Sequence, residues 1–252
     1  MKPMINVLGV IPARYHSERF PGKVLQKIGN ITVLESVYMH AKKARSLDKI
    51  VVATDSKIIA KEAGRFGAEV VFTSSRCNCG TERVAEAAEK IPAKIIVNIQ
   101  ADEPLIPEEA IDMPVELMLK DKKILCATSA TKITTEADLY NPNITKVVMD
   151  KNGFALFFSG SLLPFPRVYF VIGKTFFNKM EFLKHIGVYA FRKSFLLKFS
   201  TLPCGPLEKY EQLEQLRILE NGYKIKMAII AKDSISIDTI CDLNRLKQQG
   251  HG

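Results

Sequence analysis

Arg14, Arg19 and Lys23 lie within one short loop that follows the apolar run Val7–Ile11. That run is rich in β-branched residues and reads as a strand buried on both faces. It breaks at Pro12-Ala13 into the loop, and Pro21-Gly22 signals a turn just before Lys23. Fixed cations delivered by a buried strand suit a polyphosphate; a solvated basic loop is the other reading, and residue types alone leave both open. Gly22-Lys23 is not a P-loop, because Val24 occupies the place of the Mg²⁺-binding Ser or Thr and Ser17 that of the first glycine. The acidic counterpart is Gln100-Ala101-Asp102-Glu103-Pro104, which follows the apolar run Lys94–Ile99. Mg²⁺ takes one or two carboxylates and completes its shell with phosphate oxygens and water, so Asp102 is the candidate ligand. Glu108 and Glu109, after Pro107, fit the first turn of a helix better. On Lys184–Arg192 the side chains of His185, Gly187 and Tyr189 share one strand face. Two hydrogen-bonding rings flanking a bare glycine suit a polyhydroxylated ligand, though a satisfied core histidine and a half-buried tyrosine fit the same pattern.

These groups need a frame, and the chain predicts one by alternation. Helical spacing marks Thr32–Arg45, an apolar strand follows at Lys49–Thr54, and Asp55-Ser56 caps a helix to about Phe66. Glu69–Phe72 and Lys94–Ile99 are further strands, with a small helix at Thr81–Lys90 between them. The expected fold is α/β: a Rossmann-like, mostly parallel sheet flanked by helices, whose ligands sit beyond the carboxyl ends of the strands. Lys123–Lys132 reads as a strand, and Thr145–Asp150 with Phe154–Phe158 forms a hairpin around Asn152-Gly153. Leu162–Tyr169 is rich in proline and aromatic residues and reads as extended. The chain is therefore expected to be a single domain over 1–252 with a smaller antiparallel insert at 141–192, of the kind that covers a site and dimerises. Pro206–Asn221 predicts one helix ending before Gly222, with Glu211, Glu214 and Gln215 on one side. Tyr223–Ile230 predicts a strand, and Thr239 is a plausible cap for a last helix.

Composition narrows the class. The chain of 252 residues is 47% hydrophobic, enough for a sizeable core, and contains no linker or repeat. No apolar run has membrane-spanning length and the start does not resemble a signal peptide, so a soluble, cytoplasmic protein is expected. Cys77, Cys79, Cys126, Cys204 and Cys241 are odd in number and scattered, which fits neither a disulfide framework nor a zinc site. The net charge of +9 suits anionic partners, but the cations are dispersed and no nucleic-acid motif accompanies them.

Ile11-Pro12-Ala13-Arg14 followed by Arg19-Phe20-Pro21-Gly22-Lys23 resembles the opening signature of the sugar-acid cytidylyltransferases. Gly80-Thr81-Glu82-Arg83 resembles the family's Ser-Gly-Thr-Glu-Arg, with Cys79 for the serine. Ala101-Asp102-Glu103-Pro104 resembles its Gly-Asp-Glu-Pro, with Ala101 for the glycine. Ile237-Asp238-Thr239 is similar to its Val-Asp-Thr-Pro-Glu-Asp-Leu, with Ile240 and Cys241 for Pro-Glu. His185–Tyr189 and Leu213–Arg217 resemble the family's His-Ile-Gly-Val-Tyr and Leu-Glu-Gln-Leu-Arg, and favour the branch acting on 3-deoxy-manno-octulosonate (Kdo) over the sialic-acid branch. After Phe158-Ser159 the relatives carry an arginine and this chain has Gly160.

The resemblance implies that CTP and Kdo react to CMP-Kdo and pyrophosphate, for lipopolysaccharide or, in plants, pectin. It implies Mg²⁺ on Asp102 and Asp238, with Arg14 and Lys23 also catalytic. CTP would meet Pro12, Ala13, Arg14, Arg19, Lys23, Thr81, Arg83 and Gln100, and the sugar Gln100, His185, Tyr189, Glu214 and Gln215. It implies a homodimer. For the absent arginine, Arg167 is the expected substitute at the sugar carboxylate. Activation of a different sugar acid with CTP, or a nucleotide-binding relative with impaired catalysis, are the alternative readings.

Overall fold

The computed structural model describes residues 5–15, 20–77, 79–168, 177–237 and 239–248. β-Branched residues drive the first strand, β1 (Ile5–Pro12), in which Val7 and Ile11 face one core and Leu8 and Val10 the other. A small hairpin, β2 (Lys27–Ile28) with β3 (Ile31–Thr32), leads to α1 (Val33–Ala41), where the Thr32 hydroxyl accepts from the Glu35 amide. Then come β4 (Lys49–Thr54), α2 (Lys57–Arg65, capped by Ser56), β5 (Glu69–Phe72), α3 (Gly80–Glu89), β6 (Ala93–Asn98) and α4 (Glu108–Lys120). β1 pairs in parallel with β4 and β6, and β4 with β5. This is the parallel half that the alternation predicts.

The second half is mixed. β7 (Cys126–Lys132) precedes the short α5 (Glu136–Tyr140), then the antiparallel pair β8 (Lys146–Met149) and β9 (Ala155–Ser159), β10 (Leu183–Arg192) and β11 (Ile225–Ile230). The main sheet runs β11-β7-β10-β6-β1-β4-β5, with β8 and β9 joined at β10. β10 is antiparallel to β6 and β7, and Tyr189 lies opposite Asn98. Its amino-terminal half therefore reaches the sheet edge where β1 and β6 end. α1, α2 and α4 cover one face; α3 and the helices Lys193–Phe199 and Leu216–Glu220 cover the other.

Three local expectations need correction. The strand predicted from Lys123 begins at Cys126, because Lys122 and Lys123 lie in the turn whose amide at Lys123 is held by Asp121. Within Leu162–Tyr169, Arg167 and Val168 are helical rather than extended, and Tyr169 lies outside the described residues. The helix predicted over Pro206–Asn221 is two helices, Pro206–Glu211 and Leu216–Glu220, broken at Gln212 with φ 56° and ψ 39°. The Glu220 carboxylate folds back to cap the amides of Leu207 and Glu208. Buried Arg217 pairs with buried Glu208 in a bidentate contact, Nε to Oε2 at 2.8 Å and Nη2 to Oε1 at 2.6 Å, which fastens the second helix against the first.

Candidate active site

The carboxyl ends of β1, β6 and α3's approach loop converge. A methyl built on Gly80 would lie 3.7 Å from Pro12 Cγ and 3.8 Å from Gln100 Oε1, so these segments touch. Pro12 and Ala13 are buried, the Ala13 amide donates to Ala53 O, and Arg14 emerges exposed. The loop closes where the Gly22 amide meets Tyr15 O at 2.9 Å, and Lys23 opens the single-turn helix Lys23–Leu25 behind it. Arg19 lies outside the described residues.

Lys23 reaches across the sheet edge. Its ammonium is 2.5 Å from Asp102 Oδ2 and 3.2 Å from Ile237 O, and the Ile237 amide donates to Asp102 O at 2.8 Å. Position 238 itself lies outside the described residues, but its neighbour Ile237 is hydrogen-bonded to the Asp102 backbone. Thr239 beyond it makes reciprocal capping bonds with Asp242 at the start of the helix Ile240–Gln248. Asp102 offers one half-buried carboxylate here, paired with Lys23, and among the described residues no three His, Cys, Asp or Glu side chains gather into a metal site; one carboxylate can serve Mg²⁺ only where phosphate oxygens and water complete the shell. Ala101 is buried and is not among the residues with positive φ, so alanine takes this place without backbone strain.

Gln100, His185, Tyr189, Glu214 and Gln215 do come together: with Thr81 they line a cavity of about 250 Å³. Gln212, at the break between the two helices, lines it too, and the loop it starts turns Glu214 and Gln215 inward. The break thus does what a continuous helix face was expected to do. Thr81 donates to Glu214 Oε2 at 2.7 Å and receives the Asn98 amide at 3.3 Å. Glu211 is committed elsewhere, accepting from the Ser159 hydroxyl and the Gly160 amide.

Burial holds the His185 imidazole neutral, with its pKa pushed down to about 3. Its Nε2 lies 3.0 Å from the Thr128 hydroxyl, and its ring packs 5.2 Å from that of Tyr189. Burial raises the Tyr189 phenol well above its usual range. The Tyr189 hydroxyl and Asn98 Oδ1 are buried with no hydrogen-bond partner among the described residues, which a polar ligand would remedy.

Gly187 lines the same cavity between His185 and Tyr189, and a methyl there would lie 2.7 Å from Glu103 Oε1 and 3.3 Å from Gln100 Cγ. Arg83 is buried, with its guanidinium on Thr73 at 2.5 Å and Asp55 at 3.2 Å. It braces the ends of β4 and β5. Glu103, Thr128 and Asn98 escape a reading by residue type. Asn98 had one signal, a polar residue inside the apolar strand Lys94–Ile99. Burial, and secondarily the Asp102 charge, raise the Glu103 carboxyl to about 7.

Comparison with known proteins agrees with this geometry. Residues 8–226 match the family model described as cytidylyltransferase. A 3-deoxy-manno-octulosonate cytidylyltransferase of Thermodesulfovibrio yellowstonii is 45% identical over 243 residues, covering 93% of this chain and 94% of the relative. The protein of the same name in Francisella tularensis subsp. novicida is 43% identical, covering 97% of this chain and 98% of the relative. Among solved structures, a CMP:2-keto-3-deoxy-manno-octonic acid synthetase complexed with CTP superposes with a TM-score of 0.88 at 32% identity, over 97% of this chain and 98% of that one. A cytidylyltransferase from Leptospira borgpetersenii, at 21% identity and a TM-score of 0.62, shares the fold.

Proposed function

The chain belongs to the 3-deoxy-manno-octulosonate cytidylyltransferase family, and on that premise we propose that it transfers CMP from CTP to the anomeric hydroxyl of Kdo, giving CMP-Kdo and pyrophosphate. One observation carries the reading. A cavity lined by Gln100, His185, Glu214, Gln215 and the unpartnered Tyr189 hydroxyl opens at the sheet edge that also holds Lys23 and Asp102. A polyhydroxylated acceptor and a triphosphate each find matching groups there.

The anomeric hydroxyl attacks the α-phosphorus in line, forming the new O–P bond as the bond to the β-phosphate oxygen breaks and its proton passes to solvent. Lys23 and Arg14 neutralise charge growing on the departing pyrophosphate. Gln100 and Tyr189 orient the acceptor, and Glu214, itself fixed by Thr81, accepts from a sugar hydroxyl. Neutral His185 offers a hydrogen bond without adding charge. Asp102 and Asp238 would hold Mg²⁺, which when bound polarises the α-phosphate and lowers the hydroxyl's pKa.

Supply of activated sugar to lipopolysaccharide, or pectin in a plant, is the use that its family implies. A cytoplasmic site is consistent with the described helices, none of which is long and apolar enough to cross a membrane. A homodimer formed through the 141–192 region is supported by the exposed side chains of Leu156, Phe165, Val168 and Met180. Sedimentation at micromolar concentration tests it, and a monomer there refutes it.

Pyrophosphate release measured with Kdo, with sialic acid and without acceptor tests the main reading. Release that depends on Kdo and on CTP is expected. Release with sialic acid alone would move the substrate to another sugar acid, and none with either would leave a nucleotide-binding relative.

A further inference from the structure

We propose that Glu103 is a positioning residue, whose carboxylate locks the bulge of β10 carrying His185 and Tyr189 and ties it to the segment leading to position 238. The inference rests on the sugar-acid reading above and names what holds that half of the site in register with the phosphate half.

β10 slips against β7 between Ile186, opposite Ser129, and Tyr189, opposite Thr128. Gly187 and Val188 leave the ladder at this point, and their backbone groups need partners from elsewhere. The Thr128 hydroxyl lies 2.6 Å from Val188 O and 3.2 Å from Ile186 O. The Gly187 amide donates to Glu103 Oε1 at 3.1 Å. The bulge is thus sealed by one side chain from β7 and one from the loop after β6.

The second carboxylate oxygen looks the other way. It accepts the Ser234 hydroxyl at 2.6 Å, while Lys184 on β10 donates to Ser234 O at 2.7 Å. Ser234 lies three residues before Ile237, whose amide is on Asp102 O. One side chain therefore joins the strand of the sugar cavity to the chain that approaches the Lys23–Asp102 corner. The fit is close, since a methyl on Gly187 would come within 2.7 Å of Glu103 Oε1. Glu103 is 7% exposed and its oxygens are engaged by protein, so it acts through β10 rather than on substrate.

Glutamine can keep both bonds, its carbonyl accepting from Gly187 and its amide donating to the Ser234 oxygen; alanine keeps neither. Glu103→Ala is expected to raise the Kdo KM about tenfold or more while the CTP KM stays within about threefold, and Glu103→Gln to recover most of the loss. Gly187→Ala should damage Kdo use in the native background and cost markedly less on top of Glu103→Ala, where the carboxylate it strikes is gone. A readout independent of substrate is hydrogen exchange at the Gly187 amide, expected to speed up on the order of a hundredfold in Glu103→Ala and to return in Glu103→Gln. Should Glu103→Ala fail to fold, Ser234→Ala carries the test, with an expected rise of a fewfold in Kdo KM alone.

Equal rises in both KM values, glutamine no better than alanine, or an equal cost of Gly187→Ala in both backgrounds would overturn the proposal. So would unchanged Gly187 exchange in Glu103→Ala. If the native protein releases no pyrophosphate with Kdo, the functional reading fails separately, and the exchange experiment still decides the role of Glu103.

Discussion

Lys23 and Asp102 form an ion pair at 2.5 Å, although the proposed mechanism gives one to phosphate and the other to a metal ion. The two side chains are 15% and 22% exposed, so leaving either charge uncompensated in this corner is costly. Each thus serves as the other's placeholder. On the proposed reading, phosphate would take the carboxylate's place on Lys23 and the cation the ammonium's place on Asp102, so that each charge keeps a partner. The backbone bond from Ile237 to Asp102 keeps both chains in place during the exchange.

Asp102→Asn and Asp238→Asn are therefore expected to lower turnover by more than a hundredfold while the protein stays folded, with a lower melting temperature for Asp102→Asn, which takes the carboxylate from Lys23. The asparagine at 102 leaves Lys23 without its carboxylate, so CTP binding without divalent metal should persist in that variant. Pyrophosphate release and thermal melts check both. Activity within about tenfold of the native protein, a barrier change of only ~1.4 kcal/mol, would remove the metal-ligand assignment.

Lys23→Ala should weaken CTP use far more than Kdo use. The side chain points at Asp102 and Ile237, away from the residues that line the sugar cavity. Steady-state kinetics with each substrate varied in turn is the measurement. A rise confined to the Kdo KM would reassign the lysine to the sugar.

His185 makes a prediction about pH. Its folded pKa of about 3 is below its ordinary 6.5, so the unfolded chain binds the proton more readily than the native one. Its contribution to stability is fully present above pH 6.5 and is lost as pH falls from there toward 3. Melting temperature should therefore drop across that window, less steeply in His185→Gln, and NMR should show the native imidazole neutral at pH 5. A native imidazole that titrates near 6.5 would contradict its burial beside Tyr189 and Thr128. The same variant should raise the Kdo KM and leave that for CTP nearly unchanged.

The frame of this site was legible because it obeys short-range rules. Apolar runs and caps placed β4, β5, α2 and the parallel half nearly residue for residue. The meeting of Asp102 with the cationic loop was legible from the strand ends, whereas Glu214 and Gln215 depended on a resemblance and were set on one continuous helix. Nothing local in Pro206–Asn221 announces the break at Gln212; it follows from Glu211 bonding back to β9 and Glu220 capping the first helix. Glu103 was hidden for a related reason. Its partners Gly187 and Ser234 are distant in sequence, and the bulge that frees the Gly187 amide arises only when β10 is fitted between β6 and β7. Arg83 shows the converse, a motif residue whose charge is spent on Asp55 inside the fold.

The sharpest departure from the pattern this sequence resembles is Gly160, at a place where that pattern has arginine. Restoring that arginine is not a simple gain, because a Cβ at Gly160 would stand 2.8 Å from Pro142 O. That carbonyl belongs to a loop held by Lys146, a buried ammonium that donates to Asn141 O, Ile144 O and Gly160 O at 2.6 to 2.9 Å. The same loop contributes Thr145 to the sugar cavity, so a side chain at 160 pushes on the cavity wall. Gly160→Ala alone should lower the melting temperature by several degrees, and Gly160→Arg at least as much, with no improvement in Kdo use. Arg167 is the cation this reading offers instead: it is exposed, and while the described residues lining the cavity include no lysine or arginine, Lys184 and Arg245 line the one beside it. An Arg–carboxylate contact contributes about 1.5–3 kcal/mol, so Arg167→Ala should cut kcat/KM for Kdo by about tenfold to a hundredfold. The loss should be smaller with an acceptor analogue whose carboxylate is replaced by a carboxamide, since that analogue has no charge left to lose. If Arg167→Ala is silent and Gly160→Arg raises kcat/KM for Kdo, the carboxylate is read at position 160 after all, and the loop around Pro142 yields more easily than its lysine clamp implies.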